Sequence, residues 1–134
     1  MIGPKVPKMT KAEEKAAYDL ATLRDSDTCQ RCRRVGLVVH RDHRQNRQRG
    51  NTVVSNLQLL CVECHAWKSG HPAEAFMEGW MVPRHADPAG WPARRWVRNV
   101  FGLVPAWVLY DDDGYWVEIT DREAQQRMGL EVPF

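Results

Sequence analysis

No apolar run in the sequence approaches the length of a membrane span, and the first twenty residues, MIGPKVPKMTKAEEKAAYDL, hold no apolar core of signal-peptide type. The expectation is a protein that stays in the cytoplasm and has no membrane partner. Internal repeats and low-complexity tracts are also missing, which leaves no basis for a repeat architecture. At 134 residues there is room for one compact domain with a modest core, and for one active site. Acid is nearly missing from one stretch. Between Cys29 and Val53, Asp42 stands alone against Arg31, Arg33, Arg34, Arg41, Arg44, Arg47 and Arg49. The net charge is only +2, so this is a local basic patch in a near-neutral chain. Clustered guanidinium groups fork onto phosphate oxygens and release counterions, so nucleic acid is the first partner to consider. Cysteine is scarce as well, with four residues, but they come in pairs. In a reducing compartment such pairs serve as thiolate ligands rather than disulfides.

Residues 1–9, with Gly3, Pro4 and Pro7 among lysines, suit a disordered arm. Thr10 and Glu13 make a capping box for an amphipathic helix, KAEEKAAYDLATLRD, with Ala17, Leu20 and Leu23 along one side. A strand in VGLVVHRDH, a polar loop RQNRQRGN, a second strand LQLLC and a helix VECHAWKSG stopped by Gly70 and Pro72 come next. Beyond them PAEAFMEGWMV suggests a short helix closing at Gly79, and Pro83, Pro88, Gly90, Pro92 and Pro105 break the following chain into extended, irregular pieces. AWVLYDDDGYWVEI predicts a β-hairpin, and Thr120 with Glu123 caps a final helix, DREAQQRM. Trp80, Trp91, Trp96, Trp107 and Trp116 are expected to fill the core of this tail rather than form a docking surface, while Arg94, Arg95 and Arg98 are candidates to extend a nucleic-acid track.

Cys29 and Cys32 form one CxxC and Cys61 and Cys64 the other, with 28 residues between the pairs. Together they can close a tetrahedral four-sulfur shell around a structural Zn2+, with no open position for catalysis. Such a site staples a domain whose own core is small. Asp42, His43, Asn56 and His65 are then left without a structural task. Asp42 and His65 can share one divalent ion, with water and phosphate oxygens in the remaining positions. That mixed coordination suits Mg2+ or Mn2+, with Zn2+, Ni2+ or Co2+ as substitutes. His43 is the candidate general base, kept neutral by its basic surroundings. Asn56 fits as an orienter, its amide holding a backbone group of the loop that carries His43.

The segments CQRC, RDH, SNLQLLC and CHAWK together resemble the HNH endonuclease family in its zinc-binding, four-cysteine form, and more narrowly the small HNH proteins of actinobacterial bacteriophages. The resemblance covers residues 29–68 and weakens through the tail. It implies an α+β protein with a small ββα-metal, treble-clef-like core stapled by the four-cysteine zinc site, flanking helices and a C-terminal hairpin. It also implies a core over residues 10–72 and a Trp/Pro-rich extension over 73–134 packed on it. By resemblance Asp42 and His65 bind the catalytic ion, His43 is the base and Asn56 is the middle residue of the motif. The implied activity is hydrolysis of DNA phosphodiesters to a 5′-phosphate and a 3′-hydroxyl. Arg41, Arg44, Arg47 and Arg49 are the expected DNA contacts, and phage terminase subunits are the expected partners in genome packaging. A zinc-knuckle DNA-binding module without chemistry is the alternative. One departure stands out: Ser69 occupies the position where many family members carry a third metal ligand, which leaves roles open for His40 and His71.

Overall fold

Thr10 Oγ1 accepts from the Glu13 N–H at 3.0 Å, and Glu13 Oε1 accepts from the Thr10 N–H at 2.9 Å. This reciprocal cap satisfies two N–H groups that would otherwise go unpaired around the start of helix α1, Lys11–Arg24. The computed structural model describes residues 6–130, so the first five residues of the expected arm lie outside the described residues. The buried face of α1 is Ala17, Ala21 and Arg24, whereas Leu23 is 76% exposed. The expected leucine face is thus turned toward solvent. Small alanines let α1 pack with Val54, Leu57 and Leu59, and a leucine face would hold the helix further off.

Strand β1, Val39–His43, pairs antiparallel with β2, Leu57–Cys61, placing Asp42 opposite Gln58 and His43 opposite Leu57. The first strand is shorter than its β-branched run suggests, because Val35 and Val38 are exposed and unpaired with β2. Every residue of β2 is buried. Leu57 and Leu59 pack with the alanines of α1, while Leu60 and Cys61 pack with Cys29, Cys64 and Trp80. Helix α2, Val62–Gly70, leaves β2 without a loop, and α3, Pro72–Met77, starts on a proline whose missing N–H costs a helix nothing at that position. The β1–β2–α2 unit is the ββα core of a mixed α+β fold.

A second sheet has the order β3-β4-β5, with β3 Ala93–Asn99, β4 Gly102–Tyr110 and β5 Trp116–Ile119. The β4–β5 hairpin is the one expected. Strand β3 is not: Arg94, Arg95 and Arg98 hide its alternation, and the flanking prolines read as breakers. Helix α4, Asp121–Arg127, follows, capped by Thr120 Oγ1 accepting from the Glu123 N–H at 3.1 Å. Gly79 has φ +88°, and a Cβ there would stand 2.5 Å from the Trp107 ring, so the turn after α3 and its contact with β4 both require glycine. Trp80 is buried, Trp91, Trp96 and Trp107 are half-buried, and Trp116 is exposed, so the tryptophans only in part fill a core.

A buried ionic cluster ties this sheet to α1 and β2. Asp25 accepts from Arg24 Nε at 2.8 Å, from Arg95 Nη1 at 2.6 Å and from the Leu59 N–H at 3.2 Å. Arg24 also reaches the carbonyls of Val54 and Leu57 and lies 3.7 Å over the Tyr110 ring. Arg95 is therefore a structural residue, not part of a nucleic-acid track. Removing one member of such a cluster costs about 3–5 kcal/mol, because it strands the charge of the others.

Candidate active site

The turn after α1 supplies Cys29 and Cys32, the end of β2 supplies Cys61, and the first turn of α2 supplies Cys64. Their four sulfurs all lie within 4.8 Å of one another, and Cys32 Sγ stands 3.8 Å from Cys61 Sγ. A disulfide would need about 2.05 Å. A tetrahedron of zinc–sulfur bonds of about 2.3 Å has edges of about 3.8 Å, so the cluster fits that ion. Arg31 Nη1 and Arg34 Nε each donate toward a cluster sulfur, Cys64 Sγ and Cys32 Sγ, at 3.5 Å. Their charges offset the negative charge of a four-thiolate shell.

Asp42, the lone acid, is buried, and each of its oxygens is engaged. Oδ1 lies 2.8 Å from His65 Nδ1, while Oδ2 accepts from Lys68 Nζ at 2.7 Å and Gln58 Nε2 at 2.9 Å. Lys68 also donates to the His43 carbonyl at 2.8 Å. Two neighbouring ligands of an octahedral ion, each about 2.1 Å from it, stand about 3 Å apart. At 2.8 Å Asp42 Oδ1 and His65 Nδ1 are hydrogen-bonded, and the same spacing is close to that of two adjacent ligands of one small divalent ion. Lys68 and Gln58 are absent from the residues singled out in the sequence, although Lys68 is one helical turn beyond His65 and so shares its face of α2. Gln58 is the cross-strand partner of Asp42, a relation visible only once the β1–β2 register is known.

His43 ends β1 half-buried, with Nε2 2.9 Å from Thr52 Oγ1 and its ring edge-on to Tyr18. Burial holds its pKa below the usual histidine value, and the positive charges of Arg47 and Lys68 act in the same direction against the opposing Asp42 and Glu14. Both effects favour the neutral imidazole. Asn56 is fully buried. Its Oδ1 accepts from the Gln45 N–H at 2.8 Å, Nδ2 donates to the Asn51 and Gln45 carbonyls, and its own carbonyl accepts from the Arg44 N–H at 2.7 Å. It grips the chain leaving His43 and contributes nothing to the wall of the cavity described below.

Arg44 requires a correction. It is fully buried, and its guanidinium donates to the carbonyls of Ser55, Pro88, Trp91 and Pro92 at 2.7 to 3.2 Å, so it cannot contact DNA. Burial pulls its pKa down to about 10, which still leaves it charged at neutral pH. Gln45 does the same work beside it, donating to the carbonyls of Pro83, Arg84 and Ala86. The proline-rich segment is thus a cradle of carbonyls around the two residues that follow His43. Asp112, in the β4–β5 turn, adds a bond from the Ser55 N–H at 3.0 Å, next to Asn56.

Asp42, His43, His65 and Lys68 line a cavity of ≈ 640 Å³, with His40, Arg41 and Arg47 also on its walls. Arg41 and Arg47 are exposed. Arg41 lies 5.1 Å from the Tyr18 ring centre, and Arg47 pairs with Glu14 at 2.9 Å. Arg49, also exposed, lies one loop further on. A larger hollow of ≈ 710 Å³ between α3 and the second sheet, walled by Trp80, Trp96 and Trp107, contains none of these groups. Among the described residues no helix is long and apolar enough to cross a membrane.

Residues 29–70 match the family model described as HNH endonuclease. Comparison with curated proteins and with solved structures gives no match. The matched segment begins at Cys29, takes in the ββα unit and all four cysteines, and ends with α2. Over residues 29–70 the chain is thus similar to HNH endonucleases, and the four cysteines clustered in that segment agree with the four-cysteine form of the motif.

Proposed function

We propose that the protein is a metal-dependent DNA endonuclease, with a structural Zn2+ in the four-cysteine shell and a separate catalytic ion on Asp42 and His65. The carrying observation is the juxtaposition of that pair, spaced as adjacent ligands, with a neutral histidine in one arginine-rimmed cavity. An ion there supplies positive charge to the pentacovalent transition state and to the leaving 3′-oxygen. His43 takes the proton from the attacking water. With Nε2–H donating to Thr52 Oγ1, the lone pair on Nδ1 is the one free for that proton. Asn56 is a positioning residue for the His43 loop, and Lys68 and Gln58 hold the Asp42 carboxylate in place. The sequence resemblance supports a phage genome-packaging setting, with terminase subunits as partners.

Arg41, Arg47 and Arg49 are the side chains available to phosphates. Changing all three to glutamine is expected to weaken binding to every DNA sequence alike. It should also flatten the salt dependence by about one counterion per phosphate-bound arginine removed, as read by binding titrations at several salt concentrations. Saturating DNA should restore part of the cleavage rate, since these groups position the strand. An unchanged salt slope would remove them from the interface.

One observation favours the non-catalytic module. Lys68 already places a cation on Asp42, so the carboxylate does not by itself require a metal. Asp42→Asn separates the readings. Under the nuclease reading, metal-dependent cleavage collapses while DNA binding without added metal holds or tightens, provided circular dichroism and zinc content match the wild type. Cleavage that survives Asp42→Asn would sink the assignment of the ion.

A further inference from the structure

We infer that His40 is the third protein ligand of the ion held by Asp42 and His65, making a centre of two imidazoles and one carboxylate that takes Mn2+ in preference to Mg2+. The inference rests on the nuclease reading for its use in catalysis, but not for its test. His40 is two residues before Asp42 on β1, so both side chains leave the same face of the strand, and both line the same cavity. Its ring centre stands 5.9 Å from that of His65. Ring nitrogens at about 2.1 Å from a shared ion put the ring centres at most about 6.4 Å apart, so the two rings are already within reach of one ion. Among the described residues only the four cysteines have three or more donor atoms within 4.8 Å of one another, so His40 must turn about its own side-chain bonds to bind. It is exposed at the start of the strand, which leaves room to do so.

The other candidates are engaged elsewhere, although Ser69 lies on the cavity wall. Ser69 Oγ is 3.2 Å from the His65 carbonyl, to which it donates within its own helix. His71 Nδ1 lies 2.9 Å from the Trp67 carbonyl, its ring is stacked on Trp67, and it does not reach the cavity wall. Metal preference follows from charge and ligand type. The one carboxylate is offset by Lys68 at 2.7 Å, so little net negative charge remains to hold a hard, strongly hydrated Mg2+. Two imidazole nitrogens favour a transition ion instead.

The test uses the full-length, zinc-loaded protein without DNA, titrated with Mn2+ and followed by loss of the free-ion paramagnetic resonance signal. The wild type should bind one Mn2+ and release it only to a large excess of Mg2+. His40→Ala should weaken Mn2+ binding about tenfold, while Ser69→Ala and His71→Ala leave it unchanged. Equal Mn2+ affinity in the His40→Ala and wild-type proteins, no Mn2+ binding, or Mg2+ competing on equal terms would each overturn the inference. Cleavage is scored separately. Binding through His40 without cleavage by the wild type removes the nuclease reading alone, and cleavage with binding indifferent to His40 removes this inference alone.

Discussion

His43→Ala is expected to lower DNA cleavage by a hundredfold or more while zinc content stays at one per chain. A positioned base contributes that much to a proton transfer, and His43 plays no part in the four-sulfur shell. Truncation does strand the Thr52 hydroxyl, which is 1% exposed, at a cost of about 1–3 kcal/mol. His43→Gln is the companion variant, since its amide can keep a bond to Thr52 without offering a base. Both should be inactive, and the glutamine protein should be the more stable of the two. The pH profile of wild-type kcat/KM gives an independent sign. A base must be unprotonated, so the rate falls as pH drops through its pKa, and the depressed pKa of His43 places that fall below the ordinary histidine value near 6.5. An acid limb above that value, or undiminished cleavage by folded His43→Ala, would remove His43 from the chemistry.

Cys61→Ser is expected to unfold the ββα core, read as loss of bound zinc and of the cooperative thermal transition. A structural zinc site contributes roughly 10–16 kcal/mol to folding, against a total of about 5–15 kcal/mol for an ordinary domain. The substitution isolates the metal contribution. Cys61 Sγ also accepts from the Cys64 N–H at 3.5 Å to cap α2, and serine is itself a good cap, so what is lost is the thiolate. Unfolding should carry the candidate active site with it, because Asp42 and His65 meet only while α2 is pinned against β1. Retention of a wild-type transition by a zinc-free Cys61→Ser protein would show that the cluster is not the staple.

What was legible in the sequence is what local chemistry writes there. The capping box at Thr10, the stop at Gly70, the β4–β5 hairpin and the two CxxC pairs each depend on residues close in the chain. What was not legible depends on bonds that span it. Arg44 looks like one more arginine of a basic loop, yet it is fully buried because the carbonyls of residues 88, 91 and 92, more than forty positions away, close around it. Arg95 is withdrawn in the same way by Asp25, seventy residues earlier. The basic patch is therefore smaller than the arginine count suggests, and part of its charge builds the scaffold. Leu23 misleads in the other direction: helical periodicity places it inward, but the alanines beside it give the closer fit to β2. Lys68 is hidden because a lysine four residues after a cysteine reads as a solvent residue until the register of β1 places Asp42 beneath it.

These long-range bonds also explain why the C-terminal region bears on the site. Arg44 and Gln45 follow His43 directly and are held by carbonyls of residues 83–92, while Asp112 holds the turn that presents Asn56. The His43 loop is thus fixed from both sides, by Asn56 within the core and by the proline-rich segment outside it.

Nuclease and binding module are separated by incubating zinc-loaded wild-type protein with supercoiled plasmid in the presence of Mn2+, Mg2+, Co2+, Ni2+ or a chelator, and following the nicked and linear forms. A nuclease built on Asp42, His43 and His65 converts the plasmid with at least one of these ions. It converts none with a chelator that leaves the four-cysteine zinc in place, and at least a hundredfold less with every ion once His43→Ala is introduced. A wild-type protein that binds the plasmid but leaves it supercoiled with every ion would contradict the nuclease reading and establish a DNA-binding module built on an HNH scaffold.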